Sequence, residues 1–282
     1  MFRSLLFIPG NNPSMLQNAD VFLTDAVIFD LEDAVSIKEK HNARNLVKNY
    51  LQTSTVLPKQ VVLRVNSVDS IYFGEDIKLL KTKKIDYLLI PKMNKETMHK
   101  VDIVLNDFER KNNLEQIKLI ALIETAQGIN EIDYFAENKR LSALFLGGED
   151  LANDLEIKRT DSNNEIHYAR SRVIFSAVAN GIIPIDTPYT DINNVEGLRK
   201  DSEQAKELGM KAKASIHPNQ LEIINEVFSP SMDEIDWARD IVRLSKENSD
   251  IGVFQYKGKM IDKPIIEKAE KIINKAKQFG IM

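Results

Sequence analysis

Short apolar runs recur along the chain, each of strand length and each followed by turn residues or acids, then by a segment with helical spacing of apolar positions. Eight are present: LLFIPG from Leu5, AVIFDLED from Ala26, QVVLRVN from Gln60, YLLIPK from Tyr87, KLIALIET from Lys118, ALFLGGED from Ala143, IIPIDTP from Ile182 and AKASIH from Ala212. Their average step of about 30 residues accommodates one strand, one helix and two loops. The segment SIKEKHNARNLVKNYLQ shows the helical half of the unit. Ala43, Leu46, Val47, Tyr50 and Leu51 share one face, and Ser36 followed by Glu39 predicts a capping box.

This alternation predicts an α/β protein, a (β/α)8 TIM barrel over residues 1–228, because an open doubly wound sheet more often stops at fewer strands. Residues 229–282 form a C-terminal helical extension: SPSMDEIDWARDIVRLSKEN reads as an amphipathic helix, DIGVFQYKGKMIDKP as a Gly-flanked connection and IIEKAEKIINKAKQF as a second helix. A barrel does not need this tail, which is expected to act as a lid over its own or a neighbouring active site.

Composition narrows the chemistry. At 282 residues, 43% hydrophobic and 28% charged, the chain has the make-up of a soluble globular protein. Its 38 basic and 42 acidic residues are interspersed, leaving a formal charge of -4 and no footprint for nucleic acid or an anionic membrane. Small-molecule partners follow. Without cysteine there is no disulfide, thiolate zinc site or cysteine nucleophile. The opening MFRSLLFIPGNNP is too short in apolar length for a signal peptide, and no run approaches the roughly 18 apolar residues that span a bilayer, so a cytoplasmic enzyme or binding protein is expected.

Barrel strands are buried on both faces, so a charge near a strand's end needs a use or a partner. Nearly every run ends in such a group: Asp30, Glu32 and Asp33, then Arg64 and Asn66, Lys92, Glu124, Glu149 and Asp150, Asp186, and His217. In a barrel these converge on the C-terminal rim, where active sites of this architecture sit. Alternation pairs Leu122 with Glu124, Leu146 and Gly148 with Asp150, and Val62 with Arg64 and Asn66, aiming one residue per strand at the axis. With strands about 4.8 Å apart, Glu124 and Asp150 reach a common point, as a general acid/base pair or as a cation site. An all-oxygen set favours Mg2+. Zinc is disfavoured, since His41, His99 and His167 fall on helices and no HxxxH occurs.

Each feature also has a plain structural alternative. Glu124 and Asp150 would serve equally in a salt-bridge ring with Arg64 and Lys92. One of the acids at 30, 32 and 33 would serve as a helix cap or as a partner for Arg44. Gly147 and Gly148 admit close approach of backbone to a phosphate, or a bulge. FIPGNNPSML offers an anion site at a helix start, or an ordinary Asn/Pro turn.

The segments RSLLFIPGNNPSML, AVIFDLEDAVSIKEKHNAR, VVLRVNS, LLIPKM, LIALIETAQGI, LFLGGEDLANDL, DTPYTDINNVEGL, SIHPNQ and GKMIDKPIIEKA occur in an order that resembles the citrate lyase β subunit and its stand-alone CoA-lyase relatives over nearly the whole chain. The resemblance implies a (β/α)8 barrel, commonly trimeric, that uses Mg2+ to cleave or form a carbon–carbon bond next to an acyl thioester. It implies metal ligation by Glu124 and Asp150, substrate-carboxylate binding by Arg64, and contact of Glu124 with substrate. Asp262 in GKMIDKP then falls where relatives carry a catalytic aspartate given by a neighbouring subunit, and Arg3 and Asn11 lie near the thioester carrier. The expected reaction cleaves citryl-CoA, or the citryl thioester of an acyl-carrier-protein prosthetic group, to oxaloacetate and acetyl thioester, with other citrate lyase subunits as partners. His217 stands where subunits of the full complex tend to have Asn, which leaves the carrier open. The alternatives are a malyl-CoA or citramalyl-CoA lyase, a malate-synthase-like enzyme, a Schiff-base aldolase built on Lys92, and a non-catalytic scaffold subunit.

Overall fold

A computed structural model describes residues 2–247 and 253–282, which fall into two compact units, residues 1–225 and 226–282. The first is a closed barrel of eight parallel strands in sequential order: β1 (Ser4–Pro9), β2 (Ala26–Asp30), β3 (Val61–Arg64), β4 (Tyr87–Ile90), β5 (Lys118–Ile123), β6 (Leu141–Leu146), β7 (Ile183–Asp186) and β8 (Ala212–Ser215). All eight apolar runs form strands. The longer connecting helices, Lys40–Thr53, Lys95–Asn112, Ala126–Phe135, His167–Ala179 and Val195–Leu208, bury one face on the barrel.

Alternation decides what fills the interior. Leu5, Ala26, Ile28, Val62, Leu89, Ile120, Leu122, Ala143, Phe145, Ile185, Ala212 and Ala214 form one buried cluster, so the inward set is every second residue of each strand. Continuing that set past the last apolar layer reaches Asp30, Arg64, Glu124 and Gly147, and the core therefore dictates which polar residues meet at the mouth. On β6 the inward residues are Ala143 and Phe145, opposite to the expected set of Leu146, Gly148 and Asp150. That strand stops at Leu146, and Asp150 stands in the first turn of a helix, Gly148–Asp154.

Local chemistry corrects two further expectations. Ser36 makes no side-chain cap; residues 37–39 form a short 3-10 turn before the helix Lys40–Thr53 begins. Asp186, expected at the rim, is fully buried and neutralised. It takes a fork from Arg170 at 2.9 and 3.0 Å and the Lys213 ammonium at 2.6 Å, and Asp201 closes the cluster on Arg170 at 2.6 Å and on Lys213 at 2.5 Å. Burial raises the pKa of Asp201, but Lys213 and Arg170 outweigh it and hold the carboxyl at about 2. Two cations and two carboxylates thus cancel behind β7 and β8.

The second unit carries helices Met232–Glu247 and Lys263–Gln278 around Ala238, Ile241, Ile261 and Ala269. The Gly-flanked connection holds an antiparallel hairpin, β9 (Phe254–Tyr256) and β10 (Lys259–Ile261), whereas its residues 250–252 lie outside the described residues. Lys257 and Gly258 turn it with φ of 46° and 79°, the left-handed pair that a two-residue hairpin loop requires. No described helix is long and apolar enough to cross a membrane.

Lys213→Met tests the buried cluster. Removing one cation leaves carboxylate uncompensated in the interior, so urea unfolding should show a loss of about 3 to 5 kcal/mol. A loss below about 1 kcal/mol would mean that water or side-chain rearrangement already neutralises the site.

Candidate active site

The strands' C-terminal ends open into a cavity of about 300 Å³ lined by Phe7, Pro9, Asp30, Arg64, Leu122, Glu124, Phe145, Gly147, Gly148, Glu149, Asp150 and Thr187. Its floor is the last inward-facing layer of the strands, and its walls include the residues that follow β5, β6 and β7.

Glu124 follows β5 and is 2% exposed. Its Oε1 accepts the backbone N–H of Lys92 at 2.8 Å, and its Oε2 is buried with no hydrogen-bond partner. Burial raises the pKa to about 8, with further upward pushes from the charges of Glu32 and Asp150. Glycine at 147 makes this placement possible. Ile123 pairs with Leu146 across the sheet, so Glu124 comes opposite Gly147, where a Cβ would stand 2.6 Å from the Glu124 Cβ and 3.0 Å from Oε2. The double glycine of FLGGED therefore makes room for a carboxylate.

Arg64 is the cavity's cation, with one edge committed to Asp30 and its Nη1 shared with the acids that follow β2. Its Nε and Nη2 donate to Asp30 at 2.8 and 2.6 Å, a cross-strand pair set by the register of β2 and β3, while its guanidinium lies 5.0 Å over the Phe7 ring. Burial opposes the charge, and Asp30 more than restores it, so the guanidinium pKa is raised. Nη1 donates to Asp33 at 3.3 Å and pairs with Glu32 at 3.2 Å. A two-pronged grip on a substrate through the Asp30 edge is therefore not open; a ligand would meet Nη1. Asp30 is saturated, its oxygens also accepting the N–H groups of Glu32 and Ala34. Glu32, mostly buried, has its pKa raised to about 7 by burial, against the pull of Arg64 and with added repulsion from Asp33 and Asp30.

The salt-bridge ring weighed from the sequence is not formed: Arg64 goes to the acids after β2, and Lys92 is exposed. That exposure also removes the apolar burial on which a Schiff-base lysine depends. Arg44 pairs with Asp76, which also holds Asn66 by its amide and backbone, away from the cavity. His217 lies beyond β8, and its Nδ1 accepts the N–H of Asn219.

Asp150 and Glu149 diverge. Glu149 accepts from Arg159 at 2.8 Å, and Asp150 lines the cavity with no ion pair among the described residues. Arg3 is not with them. It precedes β1 and grips Asp25, which precedes β2, with bonds of 2.8 and 2.9 Å. Both stand where strands begin, about 20 Å of strand from the rim, whereas Asn11, the other residue expected near the thioester carrier, follows β1 at the rim end, so the two lie at opposite ends of that strand. The anion site weighed there reduces to a turn in which Asn12 caps a five-residue helix. In the second unit, Asp262 is the N-cap of helix Lys263–Gln278, accepting the N–H of Ile265 at 3.3 Å. Sequence reasoning missed Arg159, Thr187 and Lys213. Lys213, mid-strand in AKASIH, carried a signal, since a lysine inside a barrel strand must have a buried counter-charge.

No three His, Asp or Glu side chains among the described residues are gathered to hold a metal by themselves. A two-carboxylate site suits Mg2+, which takes one or two carboxylates and completes its shell with water and substrate. The buried, unpartnered Oε2 of Glu124 in the cavity that Asp150 lines is the observation that fits such an ion.

A family model described as HpcH/HpaI aldolase/citrate lyase matches residues 3–218. The citrate lyase subunit beta of Haemophilus influenzae is 34% identical over 281 residues, covering 98% of this chain and 97% of that protein. The (3S)-malyl-CoA thioesterase of Cereibacter sphaeroides is also 34% identical, over 282 residues, 99% of this chain and 96% of its own. The crystal structure of protein CitE from Mycobacterium tuberculosis in complex with magnesium, acetoacetate and coenzyme A superposes with a TM-score of 0.79 at 26% identity, covering 97% of both chains.

The raised carboxyls predict a pH signature in metal-free protein. Glu32 and Glu124 keep protons in the folded state, at about 7 and about 8, that the unfolded chain releases near 4.5. Their contribution is thus most favourable below that value and is lost as pH rises through 7 to 8, by up to about 1.4 kcal/mol per pH unit per group. In urea unfolding with EDTA, Glu124→Gln should lose less stability than wild type between pH 5.5 and 8. Identical pH slopes in the two proteins would contradict the burial assigned to Glu124.

Proposed function

The chain belongs to the HpcH/HpaI aldolase/citrate lyase family, and from that premise we propose that it is a Mg2+-dependent carbon–carbon lyase of the citrate lyase β-subunit type. Its substrate is a 3-hydroxyacyl thioester, and citryl-CoA or citryl-acyl-carrier-protein is the favoured one, cleaved to oxaloacetate and acetyl thioester. The observation that carries this is the pair of carboxyl groups in one cavity, Glu124 and Asp150, with no ion pair to a cation among the described residues, beside a guanidinium held in a fixed orientation.

In this assignment Glu124 and Asp150 hold the metal, and Glu124 also contacts substrate. Mg2+ held there would supply Lewis acidity that lowers the pKa of a substrate hydroxyl, whose proton passes to solvent, and would stabilise the charge on that oxygen until carbon–carbon cleavage moves it to the enolate. Arg64 offers its Nη1 edge to a substrate carboxylate. Because Asp30 fixes the rest of the fork, the carboxylate is oriented at little entropic cost. Breaking the carbon–carbon bond leaves an enolate on the acetyl thioester, which needs a proton at carbon. Asp262, supplied by the C-terminal unit of a neighbouring protomer acting as a lid, is assigned to that transfer. Asn11 stays assigned to the surroundings of the thioester carrier. The protein is placed in the cytoplasm as a homotrimer serving citrate breakdown, with CoA or a carrier-protein prosthetic group as the acyl carrier and other citrate lyase subunits as candidate partners.

A malyl thioester is the second candidate. The malyl-CoA relative matches this chain at the same identity as the citrate lyase subunit, so overall similarity does not rank the two substrates. A malate-synthase-like outcome needs hydrolysis of the thioester as well, and a scaffold subunit would have no need of unneutralised carboxylates in its barrel mouth.

Purified protein incubated separately with citryl-CoA and malyl-CoA, with acetyl-CoA release as readout, should act on the first and lose activity in EDTA until Mg2+ is restored. Asp150→Asn and Glu124→Gln should each lower kcat by about 10²-fold or more, the scale of removing a charged group that acts on the transition state. Arg64→Ala should raise KM. Full activity in both carboxylate variants would overturn the metal assignment, and release from malyl-CoA alone would replace the favoured substrate.

A further inference from the structure

We propose that Arg159 and Thr187 are positioning residues that clamp the turn carrying Asp150, and that the buried charge cluster behind β7 and β8 fixes where both stand. This rests on the assignment of Asp150 as a metal ligand.

The clamp is visible at Gly148. A Cβ there would lie 2.8 Å from the Arg159 Nη1 and 2.9 Å from the Thr187 Oγ1, so the two side chains close on one backbone position. Thr187, fully buried, accepts the Gly148 N–H on Oγ1 at 2.9 Å, and its carbonyl accepts the Lys213 ammonium at 2.7 Å. Arg159 spends its fork on three partners: Glu149 at 2.8 Å, Asn163 at 2.8 Å and Glu165 at 3.1 Å. Asn163 in turn donates to Asp201 at 2.9 Å. One arm therefore runs from Lys213 through Thr187 to Gly148. The other runs from Asp201 through Asn163 and Arg159 to Glu149. Both start in the four-charge cluster and end on residues 148 and 149, immediately before Asp150.

Such a role differs in sign from simple electrostatics. Arg159 is a cation beside a proposed dication site, and it masks the charge of Glu149. If it acted only through its field, removing it would tighten metal binding. If it holds the turn, removing it loosens binding, because the ligand loses its fixed direction.

The test uses the full-length, metal-stripped protein and Mn2+ as the probe, with free Mn2+ read by electron paramagnetic resonance. Arg159→Gln should weaken Mn2+ binding by about 10- to 100-fold, the scale on which partners behind a metal ligand act. Thr187→Val, which deletes the acceptor for Gly148 without altering charge, should weaken it in the same direction, and serves where Arg159→Gln does not fold. Arg159→Lys, which keeps the charge and loses the fork, should also weaken it. Wild-type or tighter Mn2+ affinity in Arg159→Gln and Thr187→Val overturns the clamp. Asp150→Asn separates the two levels. If it too binds Mn2+ as wild type does, the ligand assignment fails and the clamp with it; if it alone loses Mn2+, only the clamp fails.

Discussion

A carboxylate buried at the end of a closed barrel, with one oxygen satisfied by a backbone N–H and the other by nothing, is the constraint around which this molecule is built. Glu124 holds that position. Leaving a charge there is expensive, and only a proton, a protein cation or an outside cation relieves it. The chain withholds the second of these. Burial pushes the carboxyl's pKa up to about 8, which favours a proton there in isolation, and an ion with substrate would fill the gap in action.

The scaffold supplies this without irregular backbone at Glu124 itself. Strand alternation that points Ile120 and Leu122 into the core must point Glu124 into the mouth, and parallel registration brings Gly147 opposite. The missing side chain at 147 is therefore as functional as the carboxylate it admits. The same geometry pairs Asp30 with Arg64 across β2 and β3, so one acid restrains the cation and the other is spared it.

How much of this the sequence displays follows from where the deciding contacts lie. Barrel strands buried on both faces read as apolar runs, and all eight were legible for that reason. The direction of Asp150 was not, because strand spacing was carried through the double glycine, whereas β6 ends at Leu146 and a helix turn presents the acid. Asp186 looked like a rim residue since one of its neutralising cations, Arg170, sits on a helix with no local signal, and the other, Lys213, lies on β8 far along the chain. Arg3 precedes its strand rather than following it, and that order alone places it at the far mouth. The hairpin of β9 and β10 has three-residue strands, too short for any periodicity to emerge.

Charge allocation explains why, of the acids lining the cavity among the described residues, Asp30 and Glu149 are ion-paired while Glu124 and Asp150 are not. Arg64 is taken by Asp30 and stands near Glu32 and Asp33; Arg159 is taken by Glu149; Arg170 and Lys213 are absorbed by Asp186 and Asp201. Each protein cation thus removes particular carboxylates from competition, and Lys92, the lysine nearest in sequence to the rim, contributes its backbone N–H to Glu124 and leaves its ammonium exposed. Arg64 does line the mouth, but its bonds to Asp30, Asp33 and Glu32 keep it from pairing with Glu124. Selectivity between carboxylates is in this way set by where the arginines and lysines are tied, and the acids assigned to the ion are ones with which no cation of the described residues pairs.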